Sequence, residues 1–597
     1  MKTTVRSRAL FTCVLLATAF TLFSFRLVHL QVAMADEFSA EAAVKHVKKQ
    51  PIFARRGAIK DIHGESLAQN EPVKKIIADA SLIKDGPALA NILSGPLGMP
   101  AAEIREKLAR MVKSKTDGTL EPCPYIVLKD NVPEIVASDI ARLVAEAKKD
   151  RIVMAHEAIC YEQEFIRMYP NGELLCHVLG YVNSANKGVE GVERTMEQYL
   201  HGSDGFRFIE RDRTGREIVP YRGQERDARD GCDVQLTIDM GLQNIVEKEL
   251  AAAVKQFRPK NATVILMRPQ TGEILAMATR PNFDLNKQQG VPEEHRRNRS
   301  ITDIFEPGST FKIVTTAGAL TEKVVRPESM IFCENGYYSW CRLKDHHPYA
   351  DLSVNDILVK SSNIGVAKLA IQMGDQKFYE YVRKFGFGER TGVSLPGEVP
   401  GILHPPHRWS KISITRIPMG HEVAATPLQV ATAMCAIANG GRLLMPQIVS
   451  RITDDQGKVI TEFPPQEVRR VASPDAARAV SSALAQVVTK KGTAYGAAVP
   501  GFDVAGKTGT AQKADEHGRM THDKYVVSFA GYMPAENPAF VGFVMFDEAQ
   551  TKRGENYGGL VAAPVFARIA EQAARYLGLT PNKLELPETS PATAKLR

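Results

Sequence analysis

The first thirty-five residues decide on which side of a membrane the rest of the chain folds. Lys2, Arg6 and Arg8 precede seventeen uncharged, largely apolar residues, Ala9 to Phe25, and no acidic residue appears before Asp36. A basic end followed by such a run reads as a membrane-targeting segment whose N-terminus stays in the cytoplasm. At ~1.5 Å per residue the run covers ~26 Å, slightly short of a hydrocarbon core. Arg26 can snorkel, and Leu27 to Ala35 continue apolar apart from His29 and Gln31. The expectation is an uncleaved single-pass anchor over residues 1–35 in the cytoplasmic (inner) membrane, everything after it lying outside the cytoplasm. Ala33-Met34-Ala35 has the small-x-small form of a signal-peptide cleavage site, but it lies well beyond the apolar run and past a charge.

At ~100 to 200 residues per domain, a chain of 597 residues divides into several units. Hydrophobic residues at 44% and charged residues at 24% exclude both wholesale disorder and a multi-span membrane protein. A formal charge of +8 is too dilute over this length to indicate nucleic acid, and none is expected as a partner. The eight cysteines include no CxxC pair, so neither a zinc ribbon nor a thioredoxin-like centre is expected. Cys333 and Cys341 are read as two free thiols, or as a bridge in an oxidising compartment.

Residues 36–230 mix short β-like runs with charged helical stretches, Ala101 to Lys115 and Pro133 to Lys149. Arg56 to Ala68 reads as strand, Gly-containing turn, strand. Texture changes after the charged stretch Asp227 to Asp233. Val234 to Ile238 reads as a strand, Gly241 to Phe257 as an Ala-rich helix, and Thr263 to Met267 with Glu273 to Thr279 as a hairpin. Ser473-Pro474-Asp475 starts an amphipathic helix running to about Lys490. Residues 231–577 are expected to form one large domain, and the Pro/Thr/Ala/Lys-rich tail at 578–597 to be disordered.

Chemistry enters at Glu306-Pro307-Gly308-Ser309-Thr310-Phe311-Lys312. Ser309 opens an apolar helical run, so Ser309 and Lys312 share a face as i and i+3. A serine hydroxyl is a poor nucleophile until a base takes its proton, and a neutral amine in reach can be that base. Alone the motif is weak, because Ser81 to Lys84 and Ser184 to Lys187 also match SxxK. Two others strengthen it. Lys507-Thr508-Gly509-Thr510 contains the only KTG, after the β-like run Phe502 to Ala505. On an edge strand it presents a cation, with Gly509 leaving the backbone open to an added peptide strand. Ser361-Ser362-Asn363 supplies a hydroxyl and an amide between the helical runs Val354 to Lys360 and Ile364 to Met373. Only Ser309, Ser361 and Lys507 come in the order SxxK, SxN, KTG with separations of 52 and 146 residues. The bland alternatives are a helix start with a solvated lysine, interhelical capping by Ser361 and Asn363, and a polar strand end at Lys507. Asp345, His346 and His347, beside Pro348, read as solvent-facing loop, and no metal site or cofactor is expected.

This triple of motifs resembles the penicilloyl-serine transferases, the superfamily of penicillin-binding proteins and serine β-lactamases. Within it the chain is similar to the class B penicillin-binding proteins, from the anchor to about residue 577. The supporting pieces include Arg56-Gly57 with Ile59, Asp61 and Gly64; Gly191-Val192-Glu193; Leu236-Thr237-Ile238-Asp239; Thr426-Pro427-Leu428-Gln429; and Gly558-Gly559. It departs at Ile62-His63, where the family usually has Arg-Asn, and at Met419-Gly420-His421, which replaces a more Gly-rich turn.

The resemblance implies an α+β fold: a transmembrane helix, an elongated mixed α/β pedestal, then a transpeptidase domain with an antiparallel sheet flanked by helices. It also implies peptidoglycan D,D-transpeptidase activity through an acyl-serine, with β-lactams acylating the same residue. In that reading Ser309 is the nucleophile, Lys312 its base, Ser361 the proton shuttle, Asn363 the residue that orients Lys312, and Lys507 the neighbouring cation. Thr508, Gly509 and Thr510 bind substrate, and the backbone N–H groups of Ser309 and Thr510 form an oxyanion hole. Partners would be stem peptides, β-lactams, the membrane, a glycosyltransferase and other divisome or elongasome proteins. A septal role is expected; the alternatives are an elongation-type transpeptidase, a β-lactamase or carboxypeptidase, and a penicillin-sensing scaffold.

Overall fold

The computed structural model describes residues 2–36, 47–113, 118–210, 225–514, 520–551 and 556–583. Residues 584–597, most of the tail expected to be disordered, lie outside the described residues. By contact the chain forms two compact units that do not follow chain order. One holds residues up to Arg55, Pro72–Ile166 and Gly202–Asp230. The other holds Arg56–Glu71, Arg167–His201 and everything from Gly231.

In the first unit, Lys2–Val28 is α-helical and runs into a π-helical turn, His29–Ala33. The apolar span Ser7–Ala33 is 27 residues with mean hydropathy 1.9, and none of it is buried against protein. At ~1.5 Å per residue that is ~40 Å, so the residues after Phe25 supply the length the apolar run lacks. The Thr18 and Thr21 hydroxyls donate to the carbonyls four residues earlier, at 2.8 Å each. Polar groups satisfied within the helix are what a lipid environment requires. The rest of the unit packs the helices Gly86–Leu97 and Glu134–Lys149 on the strands Ile126–Pro133 and Ile159–Met168, burying Leu89, Leu93, Ile126, Ile140 and Val144. The helix expected over Ala101 to Lys115 stops at Leu108. Met111–Lys113 instead pairs antiparallel with Leu120–Pro122, so a local hairpin outcompetes another helical turn.

The second unit is built on a five-stranded antiparallel sheet: β1 (Asn261–Met267), β2 (Ile274–Arg280), β3 (Ala505–Ala514), β4 (Met520–Met533) and β5 (Phe540–Asp547), in the order β2-β1-β5-β4-β3. β1 and β2 are the expected hairpin, with Val264 opposite Ala278. Strand alternation sends successive residues into two cores. Val264, Leu266, Phe529 and Phe546 pack with the helices α1 (Met240–Phe257) and α6 (Ala562–Tyr576). Ile265, Met267, Tyr532 and Phe543 face the other core, which takes in α2 (Lys312–Thr321), α3 (Asn363–Met373), α4 (Pro427–Ala438) and α5 (Pro474–Val487). A sheet covered on both faces needs near-continuous apolar strands, as Val264-Ile265-Leu266-Met267 illustrates. Each such side chain contributes about 1.5–3 kcal/mol on burial.

Local chemistry sets the boundaries. Asp239 accepts from the N–H groups of Gly241 and Leu242 and starts α1. Thr426 and Gln429 form a reciprocal capping box at the start of α4, and Gln429 also donates to Glu389 O and Pro400 O. Ser473 caps α5 as expected, but the helix ends at Val487. β3 begins at Ala505 rather than Phe502, because Pro500-Gly501 closes a tight turn in which Phe502 N–H donates to Val499 O. Arg56 and Glu193 meet in a fully buried ion pair at 2.6 Å, and Arg167 Nε donates to the other oxygen of Glu193 at 2.7 Å. This explains why those two sequence pieces go together. Asp61 still folds its turn by accepting from His63 N–H and Glu65 N–H, while the unusual His63 reaches Asp239 at 3.3 Å.

Candidate functional site

Ser309 lies in a 3-10 turn, Gly308–Phe311, that leads directly into α2, of which Lys312 is the first residue. The turn rests on β3, the free edge of the sheet. Gly308, at φ +56°, allows that approach: a Cβ there would come within 3.1 Å of Thr510 O and 3.4 Å of Thr510 N. Gly509 allows it from the strand side. A Cβ there would come within 2.4 Å of Ser528 Oγ and 2.9 Å of Pro307 O. The missing side chain of Gly509 thus seats the nucleophile turn, beyond leaving backbone free for a peptide. Gly308 N–H also donates to Gly420 O at 3.1 Å, and His421 Nδ1 lies 2.8 Å from Glu306 Oε2, so the atypical Met419-Gly420-His421 turn buttresses the same loop.

Ser361 sits where the helix Val354–Val359 turns into α3, in the left-handed region at φ +58°. Such a conformation costs a non-glycine residue ~1–3 kcal/mol, which the surrounding structure must supply. The corner aims two Ser361 groups at Lys312: Nζ donates to Ser361 O at 2.6 Å and lies 3.2 Å from Ser361 Oγ. Nζ also donates to Asn363 Oδ1 at 2.7 Å, and Asn363 Nδ2 donates to Lys344 O at 3.1 Å, which fixes the amide's orientation. Ser361 Oγ in turn bonds Ser309 Oγ at 3.1 Å. The amine is therefore linked to Ser309 Oγ through Ser361 Oγ. Two of its neighbours, Ser361 O and Asn363 Oδ1, can only accept hydrogens. A neutral amine has two hydrogens for those two acceptors, and its lone pair is left for the hydroxyls.

Lys312 is fully buried. Burial, then the nearby Lys507 cation, holds its ammonium well below the ordinary lysine value, with Asp345 opposing. Lys507 is also fully buried, and burial pushes it down to about 7. Its Nζ has no hydrogen-bond partner among the described residues. Burial excludes the bland reading of a solvated lysine at Lys312, and an amine buried in this way at Lys507 does not fit a polar strand end. Interhelical capping does occur, but through Ser362, whose Oγ accepts from Gly365 N–H at 2.9 Å.

Alternation along β3 puts Thr508 and Thr510 on the face opposite Lys507. With Ser309 and Ser361 they line a groove of about 970 Å³, which Thr493, Tyr495 and the Tyr557–Leu560 segment also line. Thr510 Oγ1 accepts from Gly558 N–H at 3.2 Å, and Thr508 Oγ1 lies 3.4 Å from Thr493 Oγ1.

One residue read from the sequence as solvent-facing belongs to the site. Asp345 Oδ1 accepts from the N–H groups of Asn363 and Ile364, and Oδ2 accepts from Ser362 Oγ at 2.6 Å. Its charge thus sits at the positive end of α3 and holds Asn363 in place. Among the described residues no group of three or more His, Cys, Asp or Glu side chains could hold a metal ion. Cys333 and Cys341 are separate buried thiols.

Residues 262–571 match the family model for the penicillin-binding protein transpeptidase domain, and residues 51–236 that for the penicillin-binding protein dimerisation domain. The peptidoglycan D,D-transpeptidase FtsI of Escherichia coli is 33% identical over 585 residues, covering 96% of this chain and 92% of FtsI. The probable peptidoglycan D,D-transpeptidase PenA of Neisseria meningitidis is 31% identical over 583 residues, covering 97% of this chain and 94% of PenA. Among solved structures, penicillin-binding protein 3 of Mycobacterium tuberculosis in complex with aztreonam superposes with a TM-score of 0.68. It is 25% identical, and the match covers 90% of this chain and all of that one.

Proposed function

Since the chain belongs to the class B penicillin-binding proteins, we propose that it cross-links peptidoglycan stem peptides as a serine D,D-transpeptidase of the septum. The observation that carries this reading is the hydrogen-bonded line Lys312–Ser361–Ser309 beside a second buried lysine. Ser309 Oγ attacks the carbonyl of the penultimate D-alanine. Its proton passes through Ser361 Oγ to the lone pair of Lys312 Nζ. The backbone N–H groups of Ser309 and Thr510 hold the oxyanion, each worth about 3 kcal/mol of transition-state stabilisation. Collapse breaks the peptide bond, and Ser361 returns the proton to the departing D-alanine amine. The acyl-serine then meets the amine of a second stem. That amine forms the new amide bond and gives its proton to Lys312 by the same route, and as the ester bond breaks the proton returns through Ser361 Oγ to Ser309 Oγ, leaving Lys312 neutral. Burial, then charge repulsion from Lys507, keeps Lys312 neutral, while Thr508, Gly509 and Thr510 align the peptide on the strand edge. A β-lactam acylates Ser309 by the first half of this sequence.

The apolar helix at the N-terminus is read as a single-pass anchor in the cytoplasmic membrane, with residues 36–230 as a pedestal that docks a glycosyltransferase and other division proteins. Fluorescent penicillin should label the wild type and not Ser309→Ala in a gel. Cells depleted of the protein should form filaments; rounded cells would assign it to elongation instead, and an unlabelled wild type would refute the acyl-serine.

A further inference from the structure

The groove that contains Ser309 has a one-signed lining. Lys360, Lys491 and Arg568 line it, and no Asp or Glu does among the described residues. Arg568 is neutralised, its Nε donating to Glu249 Oε2 at 2.7 Å. Lys360 and Lys491 are not. Lys360 Nζ donates to the carbonyl of Lys491 at 3.0 Å, and neither lysine has a carboxylate within ion-pair distance among the described residues. That hydrogen bond ties the end of the helix preceding Ser361 to the loop preceding Thr493, so the Lys360 charge is held at the cleft and the Lys491 backbone beside it, both residues lining the same groove. Two uncompensated cations in a concave site focus a positive potential into it. A ligand carrying only its terminal carboxylate brings one anion to a groove that holds two such cations.

Resting on the transpeptidase reading, we propose that Lys360 and Lys491 make this groove selective for acidic acyl donors. Stem peptides whose residues upstream of the scissile D-alanine carry free carboxylates are taken in preference to the same peptides carrying carboxamides. The two forms have nearly the same shape and differ by one charge, so a neutral groove would not separate them. Two partly exposed ion pairs acting together give a preference of about twofold to thirtyfold.

The test uses the full chain in detergent and two synthetic peptidyl-D-alanyl thioesters that differ only in one upstream carboxylate or carboxamide. Acylation of Ser309 is followed by intact-mass spectrometry, and the readout is the ratio of the two second-order rates within each protein. The wild type should favour the carboxylate donor at low salt, and the ratio should approach one in 1 M NaCl, where the Debye length is about 3 Å. Lys360→Gln should lower the ratio, and Lys491→Glu should invert it. Equal rates for the wild type, or a ratio unchanged by salt and by both substitutions, would overturn the proposal. A wild type that fluorescent penicillin does not acylate at Ser309 would instead remove the reading beneath it.

Discussion

Replacing Asp345 by asparagine keeps the side chain's size and one acceptor oxygen but removes its charge from the start of α3. In the native arrangement that carboxylate accepts three hydrogen bonds, from Asn363 N–H, Ile364 N–H and Ser362 Oγ. Bonds to a charged acceptor contribute ~1.5–3 kcal/mol each, against about 1 kcal/mol for neutral ones. Asparagine can retain the two backbone bonds in weaker form, and the charge at the helix N-terminus adds ~0.3–1 kcal/mol that it loses. The expected destabilisation is therefore at least about 3 kcal/mol, readable in chemical denaturation. The pH profile separates this from a merely structural effect. In the proposed mechanism penicillin acylation requires neutral Lys312, so its rate should climb as pH rises through the titration of that amine. Asp345 raises the Lys312 pKa, so removing its charge must move the acid limb to lower pH. At the same time the plateau falls, because Asn363 is held less firmly. The assay is the second-order rate of labelling by fluorescent penicillin from pH 5 to 9. An acid limb that stays in place, or moves to higher pH, would refute the coupling between Asp345 and Lys312.

Three further outcomes are expected. Lys507→Met should abolish labelling yet stabilise the fold at neutral pH by a few kcal/mol, since it replaces a buried, unpartnered amine. Burial lowers Lys507 to about 7, so the folded state binds fewer protons than the unfolded state between about 7 and the ordinary lysine value of 10.5. Wild-type stability therefore rises across that window, and the advantage of the variant should fade with it in thermal melts; a constant advantage would count against the titration. Gly509→Ala forces a Cβ to within 2.9 Å of Pro307 O and displaces the Ser309 turn, so labelling should slow by ~100-fold. Wild-type rates would show that the turn is not seated as described. Arg56→Ala leaves the Glu193 carboxylate buried with one cation fewer and should cost ~3–5 kcal/mol in denaturation, and a loss below 1 kcal/mol would show that water replaces the guanidinium.

What could be read in advance follows from how local the information is. The hairpin of β1 and β2, the helix α1, the capped start of α5, and the edge position of Lys507 rest on short-range patterns and are present as expected. Ser309, Lys312, Ser361, Asn363 and Lys507 could be singled out because three short motifs come in one order and spacing, and the fold brings these residues together. Asp345 carried no such signal. Its partners are backbone N–H groups eighteen and nineteen residues away, and any acid in a loop rich in His and Pro looks the same until α3 is brought beside it. The service of Gly509 to the nucleophile turn was equally hidden, because it depends on Pro307, two hundred residues earlier in the chain. The overrun at Ala101 to Lys115 has the opposite cause: a helical pattern that is locally sound lost to a partner strand.

The corner at Ser361 also works as a gauge block. Its carbonyl and the Asn363 amide reach Lys312 Nζ from positions two residues apart, at 2.6 and 2.7 Å. One inserted residue moves a Cα by ~3.8 Å, more than either hydrogen bond can stretch. The stretch between the two helices therefore tolerates changes of side chain far better than any change of length, and deletion or insertion there would silence the enzyme while leaving both helices folded.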